Sequence, residues 1–110
     1  MPRYKFIVMS SPIESGVEEF NRWYAARHLP DMLAVPGIVS AERGQIVAGM
    51  SEDGSAAPRY VATYEIQSDD IMATLTDLNS RADTDAMQMS ETIDRTSITT
   101  FLYEIMPTAG

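Results

Sequence analysis

Residues 20–44 read Phe20-Asn21-Arg22-Trp23-Tyr24-Ala25-Ala26-Arg27-His28-Leu29-Pro30-Asp31-Met32-Leu33-Ala34-Val35-Pro36-Gly37-Ile38-Val39-Ser40-Ala41-Glu42-Arg43-Gly44. This stretch decides the fold. Each residue of an ideal helix turns by roughly 100°. With Val17 at zero, Phe20 falls at about −60°, Tyr24 at about −20° and His28 at about +20°, all on one apolar face. Arg27 flanks that face and Trp23 lies near its edge. Pro30 lacks an N–H and clashes with the preceding turn, so the spacing predicts that the first helix ends near Leu29. Asp31 to Val35 then forms one more irregular turn, and Pro36-Gly37 turns the chain into a strand.

His28, the only histidine, therefore sits in a last helical turn, where free carbonyls favour a cation. Two readings follow. A histidine on an apolar face is commonly a hydrogen-bonded core residue. Alternatively, it ends the helix at a pocket mouth and exchanges a proton near neutral pH.

Outward from this segment the elements alternate. Arg3 to Ser10 reads as a strand with Phe6 and Val8 on one face and Ile7 and Met9 on the other, and Ser10-Ser11-Pro12 breaks it. Ser15 with Glu18, or Ser11 with Glu14, fits a capping box at the start of the first helix. Ile38 to Val47 reads as a second strand. Val39, Ala41, Arg43 and Gln45 share one of its faces, and Ile38, Ser40, Glu42 and Ile46 share the other. Arg43 is either a solvated charge on an edge strand or a group aimed at a pocket.

Ala48 to Pro58 is a long polar hairpin connection without the spacing of a calcium loop. Arg59 to Gln67 is the third strand, with Tyr60, Ala62, Tyr64 and Ile66 aligned. Ser68-Asp69-Asp70 starts a helix that carries Ile71, Leu75 and Leu78 and runs to about Asn79. Residues 80–97 are polar, and Met87, Ser90 and Ile93 fit a short helix. Thr99 to Met106 is the last strand. The order β-α-β-β-α-β gives an α+β, ferredoxin-like sandwich in one domain over residues 1–110. Helices on one sheet face leave the other bare, and apolar residues on both faces of the outer strands point to a second copy covering it.

The chain has 110 residues, 45% of them apolar, with eight methionines, no cysteine and a net charge of −8. The acidity argues against nucleic acid and against an anionic membrane surface as partners. The absence of cysteine excludes disulfides and thiolate chemistry. One histidine is too few for a typical zinc site, so neither a metal nor another cofactor is expected. The methionines suit an adaptable apolar pocket or an ordinary core. No run reaches membrane-spanning length and the N-terminus lacks a signal-peptide pattern, so a cytoplasmic location is the expectation.

Phe20-Asn21-Arg22-Trp23-Tyr24, His28-Leu29-Pro30-Asp31 and Pro36-Gly37-Ile38-Val39-Ser40-Ala41-Glu42-Arg43 together resemble the EthD-type branch of the dimeric α+β-barrel superfamily. Members carry an aromatic pair, a histidine-leucine-proline run and a proline-glycine turn before a strand with arginine. The resemblance implies a homodimer whose two sheets form a barrel, with a pocket between helices and sheet in each subunit. It matches His28 to the pocket histidine and places Trp23, Tyr24, Asp31 and Arg43 around it. Superfamily relatives include cofactor-free lactone isomerases, polyketide cyclases, cofactor-free monooxygenases and haem-degrading enzymes. This chain lacks the further histidines or cysteine of several isomerases and the late histidine of the haem-degrading relatives.

Three functions stay open. The first is a cofactor-free enzyme acting on a cyclic or aromatic small molecule. In it His28 is the acid or base, Asp31 or a tyrosine orients it, and Arg43 stabilises an enolate or carboxylate. Trp23, Tyr24, Tyr60 and Tyr64 would line the substrate site. The second is a binding or accessory protein with the same pocket and no turnover. The third is a structural dimer with a core histidine.

Overall fold

The computed structural model describes residues 1–49 and 57–108. Four antiparallel strands form one sheet: β1 (Arg3–Pro12), β2 (Ile38–Gln45), β3 (Tyr60–Gln67) and β4 (Ile93–Glu104), in the order β2-β3-β1-β4. β1 and β3 are central, with Phe6 opposite Tyr64 and Val8 opposite Ala62. Phe6 also pairs with Leu102 of β4. Between β1 and β2 the chain forms a 3₁₀ turn (Glu14–Gly16), helix α1 (Val17–Trp23), a π turn (Tyr24–His28) and helix α2 (Leu29–Leu33). Helix α3 (Ile71–Arg81) links β3 to β4. This is the ferredoxin-like order expected from the sequence.

The core lies between the helices and one sheet face. Phe20, Trp23, Tyr24 and Met32 pack with Ala62, Tyr64 and Ile66, which alternate along β3 as the sequence predicts. Phe20 and Tyr64 are fully buried, and burying such a ring contributes roughly 1.5–3 kcal/mol. Opposite, Ile7, Met9, Val61, Phe101 and Tyr103 lie on the face that the helices leave uncovered; Phe101 and Tyr103 are exposed.

Several boundaries differ from expectation. Pro30 does not end the helix. The backbone widens just before it: the Leu29 N–H donates to the Tyr24 carbonyl, five residues back, and helix continues to Leu33. The wide turn relieves the clash between the proline ring and the preceding turn. Neither capping box forms, since α1 begins after Gly16 without a side-chain cap. A Cβ on Gly16 would stand 2.8 Å from the Thr92 Cβ, so close approach to the 90–93 segment decides that residue.

A bulge between Ile38 and Ser40 brings Ile38 and Ala41 to the same buried side of β2, overriding simple alternation. β2 stops at Gln45, two residues short of the expected Val47. Pro36-Gly37 does turn the chain: Gly37 has φ +98° and its carbonyl accepts from Gln67 N–H at 2.8 Å. Asp70 caps α3 through the Ala73 N–H at 3.1 Å.

β1 runs on through Ser11 and Pro12, with an irregularity in its pairing to β4. No helix spans Met87 to Ile93. Asp83, at φ 64°, turns the chain after α3, Met87 bridges back to Ala82 and Thr84, and β4 starts at Ile93, six residues earlier than expected. The short hydroxyl side chains explain this: Thr84 Oγ1 accepts from Ala86 N–H, and Ser90 Oγ accepts from Thr92 N–H, so they compete with helical hydrogen bonds. The expected connection Ala48 to Pro58 falls mostly outside the described residues. Among those described, no helix is long and apolar enough to cross a membrane.

Candidate active site

The π turn sets the site. In an α-helix, residues five apart diverge by about 140° and do not meet. Across the wider turn, residue 28 returns over residue 23. The His28 and Trp23 rings stack with centroids 4.6 Å apart and an interplanar angle of 26°. Tyr24 meets His28 edge-on at 4.9 Å. Trp23 is itself held by its indole N–H, which donates to the Gln88 carbonyl at 2.9 Å.

These three side chains line a cavity of about 180 Å³ between helices and sheet. Phe6 and Val8 of β1 form its floor, Leu78 of α3 and the sulfur-bearing Met32, Met87 and Met89 its walls. Asn79, Ala82 and Thr100, all exposed, stand at its rim. Among the described residues, no titratable side chain lines it apart from His28 and Tyr24.

His28 is only 8% exposed. Burial lowers its pKa from the ordinary 6.5 to about 4; Asp31 pulls it upward and Arg43 downward. At pH 7 about one molecule in a thousand then carries a charged imidazole. Its Nδ1 is buried with no hydrogen-bond partner, as is Asp31 Oδ2 one turn along. The third such atom among the described residues is the Tyr64 hydroxyl. The Tyr24 and Tyr64 hydroxyls lie close enough to influence each other's acidity, yet the Tyr64 oxygen makes no hydrogen bond of good geometry. Burial raises both phenols above their usual value.

The other expected site residues are not in this lining. Arg43 packs on Tyr24, its guanidinium carbon 4.3 Å from that ring, 5.5 Å from Tyr60 and 5.7 Å from Phe20. It donates to Asn21 Oδ1 at 2.9 Å, and no carboxylate among the described residues pairs with it. Burial draws its pKa down, against the pull of the surrounding tyrosines. Tyr60 accepts from Asn21 Nδ2 at 3.3 Å, and Tyr64 is core.

Trp23, Tyr24 and His28 thus meet in the cavity, whereas Asp31, Arg43, Tyr60 and Tyr64 are not among its lining. Sequence reasoning missed Met87 and Met89. Their spacing of two was the available signal, obscured by the helical reading of that segment. No group of three or more histidine, cysteine or acidic side chains among the described residues is placed to hold a metal.

No protein-family model matches the chain, and no curated protein matches it. Solved structures do. An EthD-family protein from Bacillus halodurans aligns over 96% of this chain and 100% of its own, at 16% identity and a TM-score of 0.53. A candidate monooxygenase from Shewanella loihica aligns over 98% and 99%, at 15% identity and 0.61. A dimeric ferredoxin-like protein from an uncultured marine organism aligns over 99% and 100%, at 14% identity and 0.55. At these identities the likeness is one of fold, and the resemblance to the EthD-like branch holds at that level.

The His28 environment makes stability pH-dependent. The unfolded chain binds a proton near pH 6.5 that the folded chain refuses until about pH 4. The contribution is complete above 6.5 and is lost as pH falls through that window. Wild type should lose about 3 kcal/mol more than His28→Phe between pH 6.5 and 4, since each unit is worth about 1.4 kcal/mol. Urea unfolding at several pH values measures this, and parallel curves would contradict it.

Proposed function

We propose that this chain is a small cofactor-free acid–base enzyme that holds a cyclic or aromatic molecule beside His28. One observation carries the reading: a buried, uncharged imidazole borders an apolar cavity. A neutral imidazole can accept a proton, and the scarcity of its protonated form argues against a general acid. His28 removes a proton from an acidic C–H or phenolic O–H and leaves the electron pair on the substrate. It returns the proton at the same or a neighbouring atom. Asp31, which favours the charged imidazole, stabilises the imidazolium that forms. Arg43, packed on Tyr24, acts at most through its field. Proton abstraction of this kind opens isomerisations, cyclisations and dehydrations.

A second reading, ligand binding without turnover, draws on the same site: a histidine with pKa about 4 is a weak base. Exchange of the α-protons of cyclohexanone in D₂O, followed by NMR, separates the two. Wild type should catalyse exchange, and His28→Gln should retain the fold while losing about 10²–10⁴-fold in rate. Saturable binding without exchange would favour the second reading.

The homodimer belongs to this proposal. Phe101 is 57% and Tyr103 49% exposed on the sheet face away from the helices, an apolar surface that a second copy would cover. A solved structure of the same fold is a dimeric protein. Light scattering at micromolar concentration should give twice the chain mass of 12.2 kDa; a stable monomer would refute the dimer.

A further inference from the structure

We infer that the cavity selects an uncharged, single-ring compound bearing one hydroxyl or carbonyl group, and rejects carboxylates and fused rings. The inference rests on the ligand-site reading above and narrows it by charge, size and polarity.

Charge comes first. Among the described residues, no lysine, arginine, aspartate or glutamate lines the cavity. Arg43, the cation packed on the Tyr24 ring, is not among the lining residues. An ion entering would lose its hydration without gaining a counter-charge, which is costly. The chain's net charge of −8 adds long-range repulsion for anions.

Size follows from the volume. An apolar cavity of about 150 Å³ accepts benzene, and this one is about 180 Å³. It fits one ring with a small substituent. The stacked Trp23 and His28 rings present a flat wall to such a ring. The methionine sulfurs of Met32, Met87 and Met89 suit its edge.

Polarity follows from the imidazole. Inside this apolar lining, among the described residues, His28 is the polar ring at hand; its Nδ1 is closed off, so the other ring nitrogen is the one left to meet a ligand. One hydroxyl or carbonyl on the ligand satisfies it; a second buried polar group would find only Tyr24 and the rim residues Asn79 and Thr100.

Trp23 is the only tryptophan and lines the cavity, so its single indole N–H resonance reports occupancy in NMR titrations. The probes are p-cresol, toluene, benzoate and 2-naphthol. We expect p-cresol to bind at least tenfold more tightly than benzoate or 2-naphthol. His28→Phe, which keeps a ring of similar size, should weaken p-cresol about tenfold, the usual share of one hydrogen bond, and leave toluene within threefold. His28→Asn serves if the phenylalanine variant does not fold. Benzoate or 2-naphthol binding as tightly as p-cresol, or p-cresol affinity indifferent to His28, would overturn the selectivity while leaving a ligand site in place. No response to any probe would overturn the ligand site itself.

Discussion

Pro30 cannot donate a backbone hydrogen bond, and the first helical segment absorbs that defect by widening one turn instead of stopping. The consequences reach the whole site. The Leu29 N–H bonds to the Tyr24 carbonyl, and the extra residue in the turn carries His28 back over Trp23. Helix then continues long enough for Met32 to enter the core. With regular α-helical geometry, the imidazole would follow Tyr24 up the helix and the Trp23 stack would be lost.

The same turn fixes the electrostatics. Tyr24 meets both groups, with the His28 ring edge-on at 4.9 Å and the Arg43 guanidinium at 4.3 Å. The positive charge of Arg43 is spread over aromatic faces and held by Asn21, with no carboxylate partner among the described residues. It opposes protonation of His28, and Asp31 favours it, but burial outweighs both. The cavity therefore presents an apolar surface with one uncharged nitrogen base. This suits proton transfer from a neutral molecule better than recognition of an ion.

Much of this was legible in the chain. The alternation of Tyr60, Ala62, Tyr64 and Ile66 and the Pro36-Gly37 turn each carry a local physical signal, and together they order the sheet. His28 and Tyr24 were legible as neighbours because residues on one apolar helix face must share a pocket or a core, with Trp23 near its edge. What escaped is non-local. A regular 100° spacing cannot show a π turn, so the stacking partner of His28 was missed. The bulge at Ile38–Ser40 depends on pairing with β3. The 82–92 segment bends through hydroxyl hydrogen bonds that compete with helix, so Met87 and Met89 could not be assigned to the cavity. Arg43 faces the helices as its strand position allows, yet only packing shows that it rests on the Tyr24 ring and stays out of the cavity lining.

The central claim is that His28 is kept uncharged by burial within an aromatic, apolar cavity. Because it is the only histidine in the chain, its ring Cε1–H signal can be followed without ambiguity by NMR from pH 8 to pH 3.5. The account predicts a single titration with a midpoint near pH 4, more than two units below an ordinary imidazole. A midpoint at pH 6 or above would show that the imidazole is solvated or paired with a carboxylate, and would contradict it.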